Sequence, residues 1–92
     1  MEQNFLRDVE LISDCMYQNL EQKSYEWIQL HLMDINEYLL AVIQENQENG
    51  LDTTILEQDA VIILRHLIDS TTKHHILALA DCLKYEVGTF GQ

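Results

Sequence analysis

Histidines are the residues of this chain best suited to chemistry, and their spacing raises the question of a metal first. His31 and Asp34 stand three positions apart, and His66 and Asp69 repeat that interval. On a helix, residues i and i+3 share a face, so each pair would aim an imidazole and a carboxylate at one ion. The Glu-x-x-His pattern of di-iron bundles is absent, because Ile28, Ile63, Thr71 and Thr72 occupy the positions three before the four histidines. His74 and His75 are adjacent, and on a helix they would point about 100° apart. The reading is therefore no metal site, with imidazoles lying half-buried or exposed beside carboxylates.

Nucleophiles and acid–base pairs give no stronger signal. Carboxylate pairs are easy to find among 16 acidic residues, but a catalytic carboxylate needs a cleft that perturbs its pKa. Asp59 and Asp81 have the most apolar neighbours in sequence, and capping or helix–helix hydrogen bonding accounts for both equally well. Neither a GxSxG elbow nor a glycine-rich phosphate loop occurs. Cys15 and Cys82 are far apart, form no CxxC, and read as small buried hydrophobes of a reduced protein. The expectation is a protein that is not an enzyme, with no catalytic residue, no cofactor and no metal.

Charge narrows the partners. Sixteen acidic residues against five basic ones give a formal charge of −11. Such a surface repels nucleic-acid phosphate and anionic lipid, so neither nucleic acid nor membrane is expected as a partner. A basic or neutral protein is the compatible class. The start of the chain lacks the basic region and apolar core of a secretory signal, and its longest unbroken apolar run, Ala60 to Leu64, is far short of a bilayer span. A cytoplasmic location follows as the expectation.

Apolar spacing supplies the elements that would position these groups. A chain of 92 residues with 47% hydrophobic residues, three glycines and no proline reads as a single all-α domain over 1–92. Phe5, Val9, Ile12, Met16 and Leu20 recur at helical steps and predict a first helix over about 3–22. Lys23 and Ser24 mark a short break, with Ser24 as the cap of a second helix over about 25–48; one kinked helix over 3–47 is the alternative. The stripe of the second helix is Ile28, Leu32, Ile35, Leu39 and Val42.

Gly50 fits the left-handed position that ends this helix, with Leu51 making the apolar contact that follows. Asp52, Thr53 and Thr54 compete as the cap of a third helix over about 54–69, striped by Leu56, Ala60, Ile63 and Leu67. Thr71 or Thr72 would cap a fourth over about 73–87, carrying Ile76, Leu79, Ala80, Leu83 and Val87. Gly88 would stop it and leave the last residues to fray. Short connections predict an antiparallel up-down bundle of four helices.

The second helix holds more apolar residues than one buried face requires. Leu30, Met33 and Leu40 fall roughly 120–200° from Ile28, and Trp27, His31 and Tyr38 lie on the opposite shoulder. Either the helix is central or another chain covers it. Trp27, Leu30, Met33, Tyr38 and Leu40 are thus the expected partner-binding residues of a small protein–protein interaction module, an adaptor, regulator or chaperone-like bundle. For the aromatics, including Tyr17 and Tyr85, the competing reading is the rim of the core. A homodimer through the same patch is expected as well and is compatible with that reading; self-association as the function itself is the alternative, and an acidic mimic of nucleic acid is a further one.

The segment from Ile76 to Val87, Ile-Leu-Ala-Leu-Ala-Asp-Cys-Leu-Lys-Tyr-Glu-Val, resembles the closing stretch of a family of small acidic helical proteins from Firmicutes. The helical hairpin before it, with Gly50-Leu51-Asp52 in its turn, is similar too, so the resemblance covers about residues 20–87. The chain departs from the family after Val87, where Gly88-Thr89-Phe90-Gly91 replaces further helix. The resemblance implies a bacterial cytosolic helical domain and a family without an established activity. It carries over no functional residue.

Overall fold

A computed structural model describes residues 2–18 and 20–91, with side chains from Asn4 onward. Among the described residues the chain is all-α: α1 (Glu2–Tyr17), α2 (Glu21–Glu48), α3 (Thr54–Thr72) and α4 (Ile76–Asp81), which runs into a π-helical turn, Cys82–Val87. At about 1.5 Å per residue, the 28-residue α2 matches the 42 Å long axis of the molecule. α1 and α3 each pack against both α2 and the α4–π-turn segment.

The anticipated stripes supply most of the core. Val9, Ile12 and Met16 of α1, Ile28, Ile35, Leu39 and Ile43 of α2, and Ala60, Ile63 and Leu67 of α3 are buried. They meet Ile76, Leu79, Ala80, Leu83 and Val87 from the C-terminal segment in one cluster. Burying a side chain of this size contributes about 1.5–3 kcal/mol, which is why helices this short hold together. Phe5, Leu32, Val42 and Leu56 of the expected stripes are only partly buried, with Ile43 in the core beside Leu39, and Leu20 lies beyond the end of α1 and is exposed.

The break between α1 and α2 falls earlier than the expected Lys23–Ser24. α1 stops at Tyr17, and Leu20 occupies the cap position of α2. Ser24 is inside the helix and buried, its Oγ donating to the Leu20 carbonyl at 2.7 Å. Ser13 does the same to Val9 at 2.7 Å. A serine bonded back one turn has no orphan polar group, so its small side chain serves packing instead of capping.

α2 ends as expected. Gly50 has φ +77°, its N–H bonds to the Gln47 carbonyl, and the Leu51 N–H reaches back to Asn46 at 3.0 Å. These two bonds are the Schellman pair that satisfies the last carbonyls of a helix. Leu51 itself stays exposed. Before α3, Thr53 takes the cap position without a side-chain cap bond, and Asp52 just ahead of it forms an Asx-type turn: its Oδ1 accepts from the Thr54 N–H at 3.0 Å and the Thr54 hydroxyl at 2.7 Å. Those bonds hold its carboxyl below the usual carboxylate range.

The C-terminal third departs most from expectation. α3 continues to Thr72, with Thr71 donating to Leu67 within α3 and not capping a new helix. His74, with φ +55°, reverses the chain, so α4 begins only at Ile76. In an α-helix Cys82 and Val87 would stand about 140° apart. A turn closed by i→i+5 bonds, such as Gly88 N–H to Leu83 at 3.0 Å, brings both inward beside Leu83. Between Gly88 and Gly91 the chain packs back on the core. Phe90 is only 6% exposed, and Gly91, at φ +80°, lies so close to Val42 that a Cβ there would meet its Cγ1 at 2.5 Å.

Candidate functional site

Two features stand apart from the core: an apolar stripe along α2, and a groove between α3 and the π-turn. The stripe follows from helical geometry. Positions 26, 30, 33, 37, 40, 44 and 47 alternate steps of four and three, so they form one nearly straight line on the helix. All seven are exposed, and three are large and apolar: Leu30 at 77%, Met33 at 76% and Leu40 at 55%. Glu26, Asp34, Glu37 and Glu48 lie on or beside the same line, against a single Lys23.

The five expected partner-binding residues do not make one patch. Trp27 and Tyr38 are half-buried against the core on the other shoulder of α2. Tyr38 stacks on Phe5 at 5.0 Å between ring centres, and Trp27 stacks on His31 at 4.6 Å. Leu30, Met33 and Leu40 are the three of the five that stand exposed. α3 adds a surface that spacing on α2 gave no reason to seek: Ile55, Val61, Ile62 and Ile68 are exposed on its outer arc. Their apolar character reads in sequence as core, because a helix apolar nearly all round gives no cue to which residues lose the competition for the interior.

Three of the four histidines meet a defined neighbour. His31 meets Asp34 through Nδ1 at 2.8 Å, as the i,i+3 interval anticipates. His66 does not pair with Asp69; its Nδ1 lies 2.8 Å from Glu86 Oε1, across from α3 to the π-turn. Asp69 faces Lys73 instead, at 3.4 Å. His74 places its ring edge-on to Tyr25 at 5.1 Å.

The His66–Glu86 contact closes around Cys82. The three ligand-capable atoms, an imidazole nitrogen, a thiol sulfur and a carboxylate oxygen, all lie within 4.8 Å of one another. Cys82 is buried, and its Sγ sits 3.8 Å from the Ile63 carbonyl. Burial, with Glu86 as the second cause, pushes its thiol well above the ordinary range, so the free protein keeps it protonated and weakly nucleophilic. Asp69, Ser70, Ala78, Asp81 and Tyr85 complete the walls of a groove of about 500 Å³. Tyr17 of α1 donates to Asp81, and the Lys84 ammonium lies over both the Tyr17 and Tyr85 rings at 5.6 and 5.8 Å. Neither pair of titratable neighbours is visible as a sequence interval, because each joins two elements.

No helix among the described residues is long and apolar enough to cross a membrane. No family model, no curated protein and no solved structure matches the chain.

Proposed function

We propose that the protein is a non-enzymatic protein–protein interaction module, a small cytoplasmic adaptor, regulator or chaperone-like bundle, that binds a protein partner through the outer face of α2. The observation that carries this reading is the exposure of Leu30, Met33 and Leu40 on one 3–4-spaced line of a long helix. Large apolar side chains aligned in this way lose hydration cost when a second amphipathic surface covers them. The acidic residues beside the line favour a partner whose apolar face is rimmed with lysine and arginine. Trp27 and Tyr38 then act from beneath, by fixing how α2 sits on the core. The bacterial cytosolic setting implied by the family resemblance belongs to the same proposal.

Short connections between the helices support antiparallel up-and-down neighbours, which would leave the outer face of α2 clear for docking. The competing reading is a homodimer, favoured by the same 3–4 spacing, which is that of a coiled-coil seam. Its opposing factor is electrostatic, since each copy would bring a formal charge of −11 and Glu26 and Glu37 into the seam.

Parallel affinity purification with the wild-type chain and with Leu30→Asp plus Met33→Asp tests the proposal. Basic proteins retained by the first and lost by the second support it, and the same set recovered by both overturns it. Light scattering at micromolar concentration separates the homodimer: a mass of one chain removes that reading and leaves the other standing.

A further inference from the structure

We propose that His66, Cys82 and Glu86 form a binding site for a zinc-class divalent cation, seated in the groove between α3 and the π-turn. The donor set is an imidazole nitrogen, a thiol sulfur and a carboxylate oxygen, drawn from two elements that pack together. Zinc accepts all three kinds of ligand, whereas calcium and magnesium require oxygen. Cys82 and Glu86 are both held by the π-turn, the irregular helical geometry that recurs at functional sites.

Geometry sets what must move. With bonds of about 2.0–2.3 Å, ligand atoms around a tetrahedral zinc lie roughly 3.3–3.6 Å apart. The present spread of up to 4.8 Å is therefore too wide for the farthest pair, and the 2.8 Å His66–Glu86 contact is slightly too close. His66 and Glu86 have side chains 51% and 36% exposed and so are free to turn about χ1 and χ2. Cys82 is the fixed point. A water from the groove takes the fourth position, beside Asp69, Asp81 and Tyr85.

The proton balance is simple. Binding forms a metal–sulfur bond as the Cys82 S–H gives its proton to solvent. In the metal-free protein the His66 Nδ1–H donates to Glu86; on binding, Nδ1 gives that proton up to solvent and ligates through its lone pair, while Nε2 carries the single proton of the neutral ring. The thiolate and the Glu86 carboxylate cancel the two positive charges of the ion, so a metal removes the main obstacle to ionising a buried thiol. The proposal does not depend on the α2 surface.

The test is titration of the reduced 92-residue chain with Co²⁺ alone, followed by displacement with Zn²⁺. Expected is one cobalt per chain, a thiolate-to-cobalt charge-transfer absorption, and its loss on adding zinc. Cys15→Ser should keep the absorption, and Cys82→Ser should abolish it. His66→Gln and Glu86→Gln should each weaken binding by more than the roughly 10–100-fold that loss of an outer-shell partner costs. His66 is exposed, so its variant keeps the fold and decides the matter even if Cys82→Ser loses helicity by circular dichroism. An absent charge-transfer absorption in the wild type, one that follows Cys15, or unchanged affinity in His66→Gln overturns the site.

Discussion

Tyr17, at the last residue of α1, donates its hydroxyl to Oδ1 of Asp81, at the last residue of α4, joining positions 64 apart in the chain. This bond ties the end of the first helix to the entrance of the π-turn. With burial and the nearby carboxylate charges acting in the same sense, it pushes the Tyr17 phenol from 10.0 up to about 12.

A raised pKa means that the folded protein holds this proton more tightly than the unfolded chain. The contribution of Tyr17 is thus fully present below pH 10 and is lost as pH rises from 10 towards about 12. Urea midpoints across that window should fall more steeply for the wild type than for Tyr17→Phe, and the difference between the two curves should vanish at the alkaline end. Parallel curves would mean that the bond does not form in solution.

Tyr25 presents the opposite case. Its hydroxyl is the one buried side-chain polar atom without a hydrogen-bond partner among the described residues, while its ring packs against His74. Burying an unsatisfied hydroxyl costs about 1–3 kcal/mol, so Tyr25→Phe should leave stability unchanged or raise it by about 1 kcal/mol. Chemical denaturation measures this directly, and a clear loss would contradict it.

Phe90 anchors the C-terminus in the core, close to where Gly91 meets Val42. Phe90→Ala should cost about 3 kcal/mol, in the range for large-to-small core changes. Leu51→Ala, at an exposed position of similar hydrophobicity, should stay within about 0.5 kcal/mol. Equal effects at both sites would place Phe90 outside the core.

On α2, substitution of an apolar side chain should be tolerated on one side only. Leu30→Asp and Met33→Asp should change the stability of the isolated chain by no more than about 0.5 kcal/mol, because both side chains already face solvent. Ile35→Ala, on the buried face, should cost about 2–5 kcal/mol. Thermal unfolding of the three variants in parallel checks the contrast. A large loss from Leu30→Asp at low concentration would show that this side chain is packed within one chain.

The sequence by itself determined the helical character, the buried stripes and the Gly50 stop. Each of these is a local matter: apolar residues at 3.6-residue intervals must be hidden, and a residue at positive φ ends a helix at little cost only if it lacks a Cβ. It also placed Leu30, Met33 and Leu40 off the buried face of α2, since angular position on a helix is fixed by number alone. Tertiary structure decided what depends on competition for a limited interior. Ser24 became a packing residue instead of a cap, Val61 and Ile68 were left outside while Phe90 was drawn in, and a π-turn formed where Cys82, Leu83 and Val87 all had to face the core. His66 exchanged its sequence neighbour Asp69 for Glu86 for the same reason: the pair exists only once α3 lies against the π-turn, and no interval along the chain encodes that meeting.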